Sequence, residues 1–123
     1  MATIELSSEN FEEVISGNDI VIVDFWAPWC APCRSFAPTF EAVSEKYPEV
    51  VFAKLNTEDV QDVAAFFGIR SIPTLMAFRE KIILYSEAGA LPAAALDSLV
   101  EQVKGVEMAE VHAEIARQKE AGA

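Results

Sequence analysis

The most specific chemistry in this sequence belongs to two sulfurs three residues apart. Cys30 and Cys33, in Trp29-Cys30-Ala31-Pro32-Cys33, are the chain's two cysteines. The motif follows a buried strand and opens a helix, so Cys30 sits at the helix mouth and Cys33 one turn inside, where the sulfurs can meet. Unpaired amides and the macrodipole at a helix N-terminus favour a thiolate, so Cys30 is expected to have a lowered pKa and to act as the nucleophile. Cys33 is then the resolving thiol. Pro32 suits a first-turn position, where its missing donor costs little, and it restrains the loop so that both sulfurs stay within reach. A zinc site normally wants four ligands, and beyond the two cysteines this chain offers one distant His112. Two inert buried cysteines would explain neither the spacing nor the strand-to-helix junction.

Asp24 is the second candidate. It stands inside Ile20-Val-Ile-Val-Asp-Phe-Trp26, an otherwise apolar, β-branched run. A carboxylate there is costly to bury and should have its pKa raised by desolvation, a condition that often marks a working group.

The elements that position these residues follow from the apolar pattern. Residues 3–6 read as a strand, and Ser7 or Ser8 caps a helix to about Ile15, broken by Gly17-Asn18-Asp19. Residues 20–26 form a central strand covered on both faces. Residues 30–47 form a helix with Phe36, Phe40 and Val43 on one side, kinked at Pro38. A strand at 50–55, a short helix at 59–67 stopped by Gly68, strands at 74–79 and 82–86, and a helix at 91–103 ended by Gly105 complete the series. Only Glu80-Lys81 separates the last two strands, which requires a tight antiparallel hairpin. The order implies an α/β domain with a mixed five-stranded sheet and helices on both faces. Trp26 and the phenylalanines Phe25, Phe36, Phe66, Phe67 and Phe78 read as core filling, Arg70 as a surface or rim charge. Gly89, just after the last strand, permits close backbone approach at the edge of a groove.

Composition bounds the remaining possibilities. The chain has 123 residues and is 52% apolar, enough for one domain with a sizeable core. Nine Lys and Arg against twenty Asp and Glu give a net charge of −11, which argues against nucleic acid and anionic lipid as partners. The acids are scattered, as a solubilising surface requires. The N-terminus carries neither a basic start nor a long apolar run, so no signal peptide or membrane span is expected and the cytoplasm is the expected compartment.

Val23-Asp-Phe-Trp-Ala-Pro-Trp-Cys-Ala-Pro-Cys33, together with Ile69-Arg-Ser-Ile-Pro-Thr74, closely resembles the thioredoxin family, and the likeness runs from about Ile4 to Lys104. The resemblance implies the thioredoxin fold and the reduction of protein disulfides by exchange through Cys30 and Cys33. It makes Asp24 the buried carboxylate, Lys54 its neighbour and Pro73 a cis-proline facing the disulfide. Two readings of Asp24 then stand together: a carboxylate satisfied by Lys54, and a general base that deprotonates Cys33 through water. A cis bond would expose the Ile72 backbone to an extended substrate segment, with Trp29, Ala31, Pro32, Ile72, Gly89 and Ala90 forming a shallow apolar rim. No bound cofactor is implied; reducing equivalents would come from NADPH through thioredoxin reductase, and a monomer is expected.

Three departures from the family pattern stand out. Ala31 replaces the usual glycine, which reduces loop freedom and narrows the approach to Cys30. Glu80-Lys81 replaces a glycine-containing turn and must adopt a less favourable geometry or a longer loop. Residues 106–123 extend a domain spanning 1–105, with Met108, Val111, His112 and Ile115 forming a weak helical stripe. A disulfide oxidase or isomerase, and a redox-independent partner-binding module, are the alternative functions.

Overall fold

The computed structural model describes residues 2–122. Five strands, β1 (Thr3–Glu5), β2 (Ile20–Trp26), β3 (Val51–Asn56), β4 (Thr74–Arg79) and β5 (Ile82–Ala88), form one sheet in the order β1-β3-β2-β4-β5. The helices are α1 (Phe11–Ser16), α2 (Ala31–Ser44), α3 (Gln61–Phe66), α4 (Ala93–Lys104) and α5 (Met108–Ala121). β3 runs parallel to both β1 and β2, whereas β4 is antiparallel to β2 and to β5. Helices after β1 and β2 supply parallel crossovers, α3 leads into the antiparallel β4, and the hairpin closes the far edge.

Strand alternation divides the core in two. Ile20 and Ile22 pack with Phe36, Phe40 and Val43 of α2 and Leu96, Val100 and Val103 of α4. Val21, Val23 and Phe25 pack with Ile15 of α1, Val63 of α3 and Phe67 at its end. β2 is therefore buried on both faces, as its unbroken apolar run requires. By the same alternation Asp24 shares the α2 face with Ile20 and Ile22.

Several local features differ from the sequence expectation. α1 starts at Phe11 because Ser7 and Asn10 close a turn ahead of it: the Ser7 amide donates to Asn10 Oδ1 at 2.7 Å and the Asn10 amide to Ser7 Oγ at 3.1 Å. α2 is one helix, Ala31–Ser44, shorter than the expected 30–47, with Pro38 inside it as the sequence reading has it. Phe66 is not core: its side chain is 82% exposed, because α3 turns Val63 and Ala64 inward and leaves Phe66 on the opposite side. The hairpin keeps its two-residue turn by placing Glu80 and Lys81 at φ of 51° and 71°, left-handed values unfavourable for residues with a Cβ. A bulge between Ala77 and Phe78 adds one residue to the opposing strand.

Residues 106–122 neither continue α4 nor fray. Gly105 ends α4, and one guanidinium nitrogen of Arg79 donates to the carbonyls of Val103, Lys104 and Val106, each at 2.9 Å. Arg79 thereby caps α4 and holds the start of the extension. Met108 is buried at the root of α5, and His112 meets Glu80 of the hairpin turn at 2.6 Å. A chain ending at Lys104 should fold but lose about 1–3 kcal/mol of stability, roughly the burial of one large apolar side chain with its anchoring bonds, read as a lower midpoint in urea. Lys81→Gly should gain up to about 1 kcal/mol by relieving the left-handed strain, measured in the same titration.

Candidate active site

β2 ends at Trp26, and the chain turns outward before α2 begins. The Cys30 amide donates to the Ala27 carbonyl at 3.2 Å, which closes the turn, and Cys30 becomes the N-cap of α2 in extended geometry. Pro32 lies in the first turn, as a residue without a donor can. Cys30 and Cys33 are joined in a disulfide, their Cα atoms 5.2 Å apart. The Cys33 amide donates to Cys30 Sγ at 3.2 Å, so one of the orphan donors of the helix end is aimed at this sulfur. Cys30 is 5% exposed and Cys33 2%, while Trp29 beside them is 66% exposed.

The second wall comes from the segment entering β4. The Ile72-Pro73 peptide bond is cis, and the Ile72 carbonyl oxygen lies 3.7 Å from Cys30 Sγ. Thr74 Oγ1 donates to the Ser71 carbonyl at 2.5 Å, and the Gly89 amide to the Pro73 carbonyl at 2.8 Å. Of the expected rim, Ile72 meets the Cys30 sulfur through its carbonyl, Trp29, Ala31 and Pro32 adjoin the cysteines in the chain, Gly89 is tied to Pro73, and Ala90 is exposed. Close approach is not what Gly89 provides: a Cβ there would meet nothing within 4 Å, and the constraint is its φ of +108°. Arg70 is exposed, as a rim charge should be.

Asp24 is completely buried, and neither carboxyl oxygen has a hydrogen-bond partner among the described residues. Burial pushes its pKa up to about 7; Lys54 opposes that rise and Glu5 adds to it. Lys54 is the cross-strand neighbour of Asp24 in the β2–β3 register. Its ammonium, however, sits 4.5 Å above the Trp26 ring, and among the described residues no ion pair joins it to Asp24. The reading of Asp24 as a carboxylate satisfied by Lys54 is therefore corrected: the lysine acts at longer range, with a cation–π contact occupying its head.

Two polar partners had no sequence signal. Trp29 Nε1 donates to Glu58 at 3.0 Å, and Arg34 donates to the Pro28 carbonyl at 2.8 Å. The former joins residues 29 apart in the chain, a separation no local pattern encodes. Among the described residues, no group of three or more His, Cys, Asp or Glu side chains could hold a metal ion, and no helix is long and apolar enough to cross a membrane.

Comparison with known proteins agrees with this geometry. The family model described as Thioredoxin matches residues 2–114. Putative thioredoxin 2 of Streptomyces coelicolor is 43% identical over 118 residues, covering 96% of this chain and 88% of that protein. The thioredoxin of Synechocystis sp. is 42% identical over 103 residues, 82% of this chain and 96% of that one. Among solved structures, Plasmodium falciparum thioredoxin superposes with a TM-score of 0.75 at 36% identity, over 81% of this chain and 97% of that chain. A thioredoxin variant from Halobacterium salinarum gives 0.77 at 29% identity, over 85% and 91%. With matches of this extent around a disulfide-forming pair at the mouth of α2, the chain belongs to the thioredoxin family and is a thiol–disulfide oxidoreductase of the protein-disulfide reductase type.

Proposed function

We propose that the chain is a general cytoplasmic reductant of protein disulfides in which Cys30 attacks, Cys33 resolves and Asp24 manages the proton of Cys33. The observation that carries this reading is Cys30 at the mouth of α2, its sulfur receiving the Cys33 amide and lying 3.7 Å from the Ile72 carbonyl. In the dithiol form, the Cys30 thiolate attacks one sulfur of a substrate disulfide. The substrate S–S bond breaks, its second sulfur leaves as a thiolate that takes up a proton, and a mixed disulfide forms. Cys33, having passed its proton to Asp24 through water, then attacks the Cys30 sulfur. The substrate departs with two electrons and two protons gained, leaving the Cys30–Cys33 disulfide.

Substrate segments pair in extended form with the backbone at Ile72 and Pro73 and rest on Trp29, Ala31, Pro32, Gly89 and Ala90. Lys54 tunes the ionisation of Asp24 rather than touching substrate. The pair is reset by thioredoxin reductase drawing on NADPH, and the protein acts as a monomer without a bound cofactor. Residues 1–105 constitute the working domain; residues 106–123 are an extension that takes no part in exchange, a reading supported by the contacts at the Cys30 sulfur coming from Cys33 and Ile72.

An insulin-reduction assay with dithiothreitol or reductase as electron source tests the assignment. Cys30→Ser should abolish turnover, while Cys33→Ser should accumulate a mixed disulfide that is visible on non-reducing gels. Absence of insulin reduction by the parent itself would instead favour a redox-independent binding module. Truncation at Lys104 should leave the rate unchanged.

Asp24 yields two further expectations. Asp24→Asn should slow resolution of the mixed disulfide by about tenfold or more in stopped flow, with little effect on its formation. Because the folded-state pKa of Asp24 is raised from 3.8 to about 7, the folded state holds this proton more tightly than the unfolded chain. Its stabilising contribution is full below about pH 4 and is lost as pH rises through 7. Asp24→Asn should remove that slope and be more stable than the parent at pH 8, by on the order of 2–4 kcal/mol in denaturant titrations.

A further inference from the structure

A groove that the disulfide chemistry does not use opens between α1, α3 and the β4–β5 hairpin, with a volume of about 550 Å³. Phe11, Ile15, Val63, Phe66, Phe67 and Ile83 give it apolar walls. Among the described residues, four large apolar side chains are exposed: Ile4, Trp29, Phe66 and Ile83. Trp29 belongs to the active site, and two of the other three border this one groove. Their convergence is what a docking surface looks like, whereas single scattered apolar residues need no explanation.

The wall is preformed. The Phe66 ring packs edge-on against Phe67 at 5.0 Å, and Phe67 in turn meets Phe11 at 5.6 Å and Phe78 at 5.9 Å. A ring held this way loses little freedom when a ligand covers it.

The surroundings are predominantly acidic. Glu12 and Asp62 line the groove, with Glu9 and Glu13 beside the former and Asp59 ahead of α3. Neither α1 nor α3 contains a basic residue. Lys81, from the hairpin, is the one basic side chain in the lining. Ser8 Oγ donates to Asp62 at 2.7 Å, which bridges α1's leading turn to α3 and holds that carboxyl below its ordinary pKa. A second copy of the chain would bring the same acidic rim and another net charge of −11 against this one.

We propose that this groove docks a basic, apolar peptide segment of a partner protein, with one or two large apolar side chains against Phe66 and Ile83 and Lys or Arg beside Glu12 and Asp62. None of its lining residues is among those gathered around Cys30, so a docked partner leaves the sulfur free. The proposal is independent of the roles assigned to Cys30, Cys33 and Asp24.

The test is an NMR titration of the isotope-labelled full chain with a 14-residue amphipathic peptide built from Leu, Phe and Lys, alongside the same peptide with Glu for Lys. Amide shifts should move at Phe11, Ile15, Val63, Phe66 and Ile83 with the Lys peptide alone. Phe66→Ser, which alters an exposed side chain and no charge, should weaken binding by about tenfold or more. Combined Glu12→Gln and Asp62→Asn should weaken it about threefold or more, as should raising the salt. Insulin reduction by Phe66→Ser should match the parent. Absence of shifts in the groove, equal binding of the Glu peptide, or unchanged affinity in Phe66→Ser would each overturn the proposal. So would sedimentation showing that the parent self-associates and Phe66→Ser does not.

Discussion

Strand β2 is hydrogen-bonded on one side to β3 and on the other to β4, and both of its faces are closed by core. A strand so enclosed can present nothing to solvent along its length, so reactive groups are confined to its C-terminal end or must remain buried within it. Both outcomes occur here. The chain leaves β2 at Trp26, turns at Ala27 and enters α2 with Cys30 as its cap. Asp24, two residues before the exit, stays inside without a hydrogen-bond partner among the described residues.

That enclosure links stability to chemistry. A buried carboxylate in a low-dielectric strand is destabilising when ionised, and a pKa near 7 is the form this cost takes. The same shift makes the group able to accept and release a proton at neutral pH, which an ordinary carboxylate does poorly. Lys54 moderates the effect from the neighbouring strand, but the stacking of its ammonium over Trp26 keeps it from neutralising Asp24 through an ion pair. Had the lysine bonded directly, the carboxylate would be held ionised and its pKa brought down toward the ordinary carboxylate range.

The cis-Pro73 loop and Gly89 form the other half of the arrangement, and they are joined by a backbone bond rather than by side chains. On the opposite sheet face, the aromatic wall of Phe66 and Phe67 is set by the short helix α3. α3 leads through Gly68, at φ +64°, into the segment that carries Pro73.

Much of this was legible in the residues themselves. The Cys-Ala-Pro-Cys spacing after an unbroken apolar run specifies a thiol pair at a strand-to-helix junction, because the period of the pattern changes there from that of a sheet to that of a helix. The mixed sheet follows from successive strand–helix connections and a two-residue hairpin, and the left-handed strain of Glu80-Lys81 follows from the lack of a glycine. Long-range neighbours were not legible. That Lys54 would lie over Trp26 rather than on Asp24, that Glu58 would take the Trp29 indole, and that Arg79 would cap α4 while anchoring residues 106–122 depend on strand register and helix placement between distant segments. Composition marked Phe66 as core, since aromatic residues are usually buried; only the rotation of α3 against the sheet turned it outward. Local pattern sets which elements form, and packing alone decides which side chains meet, because contacts between segments far apart in the chain leave no periodic trace in it.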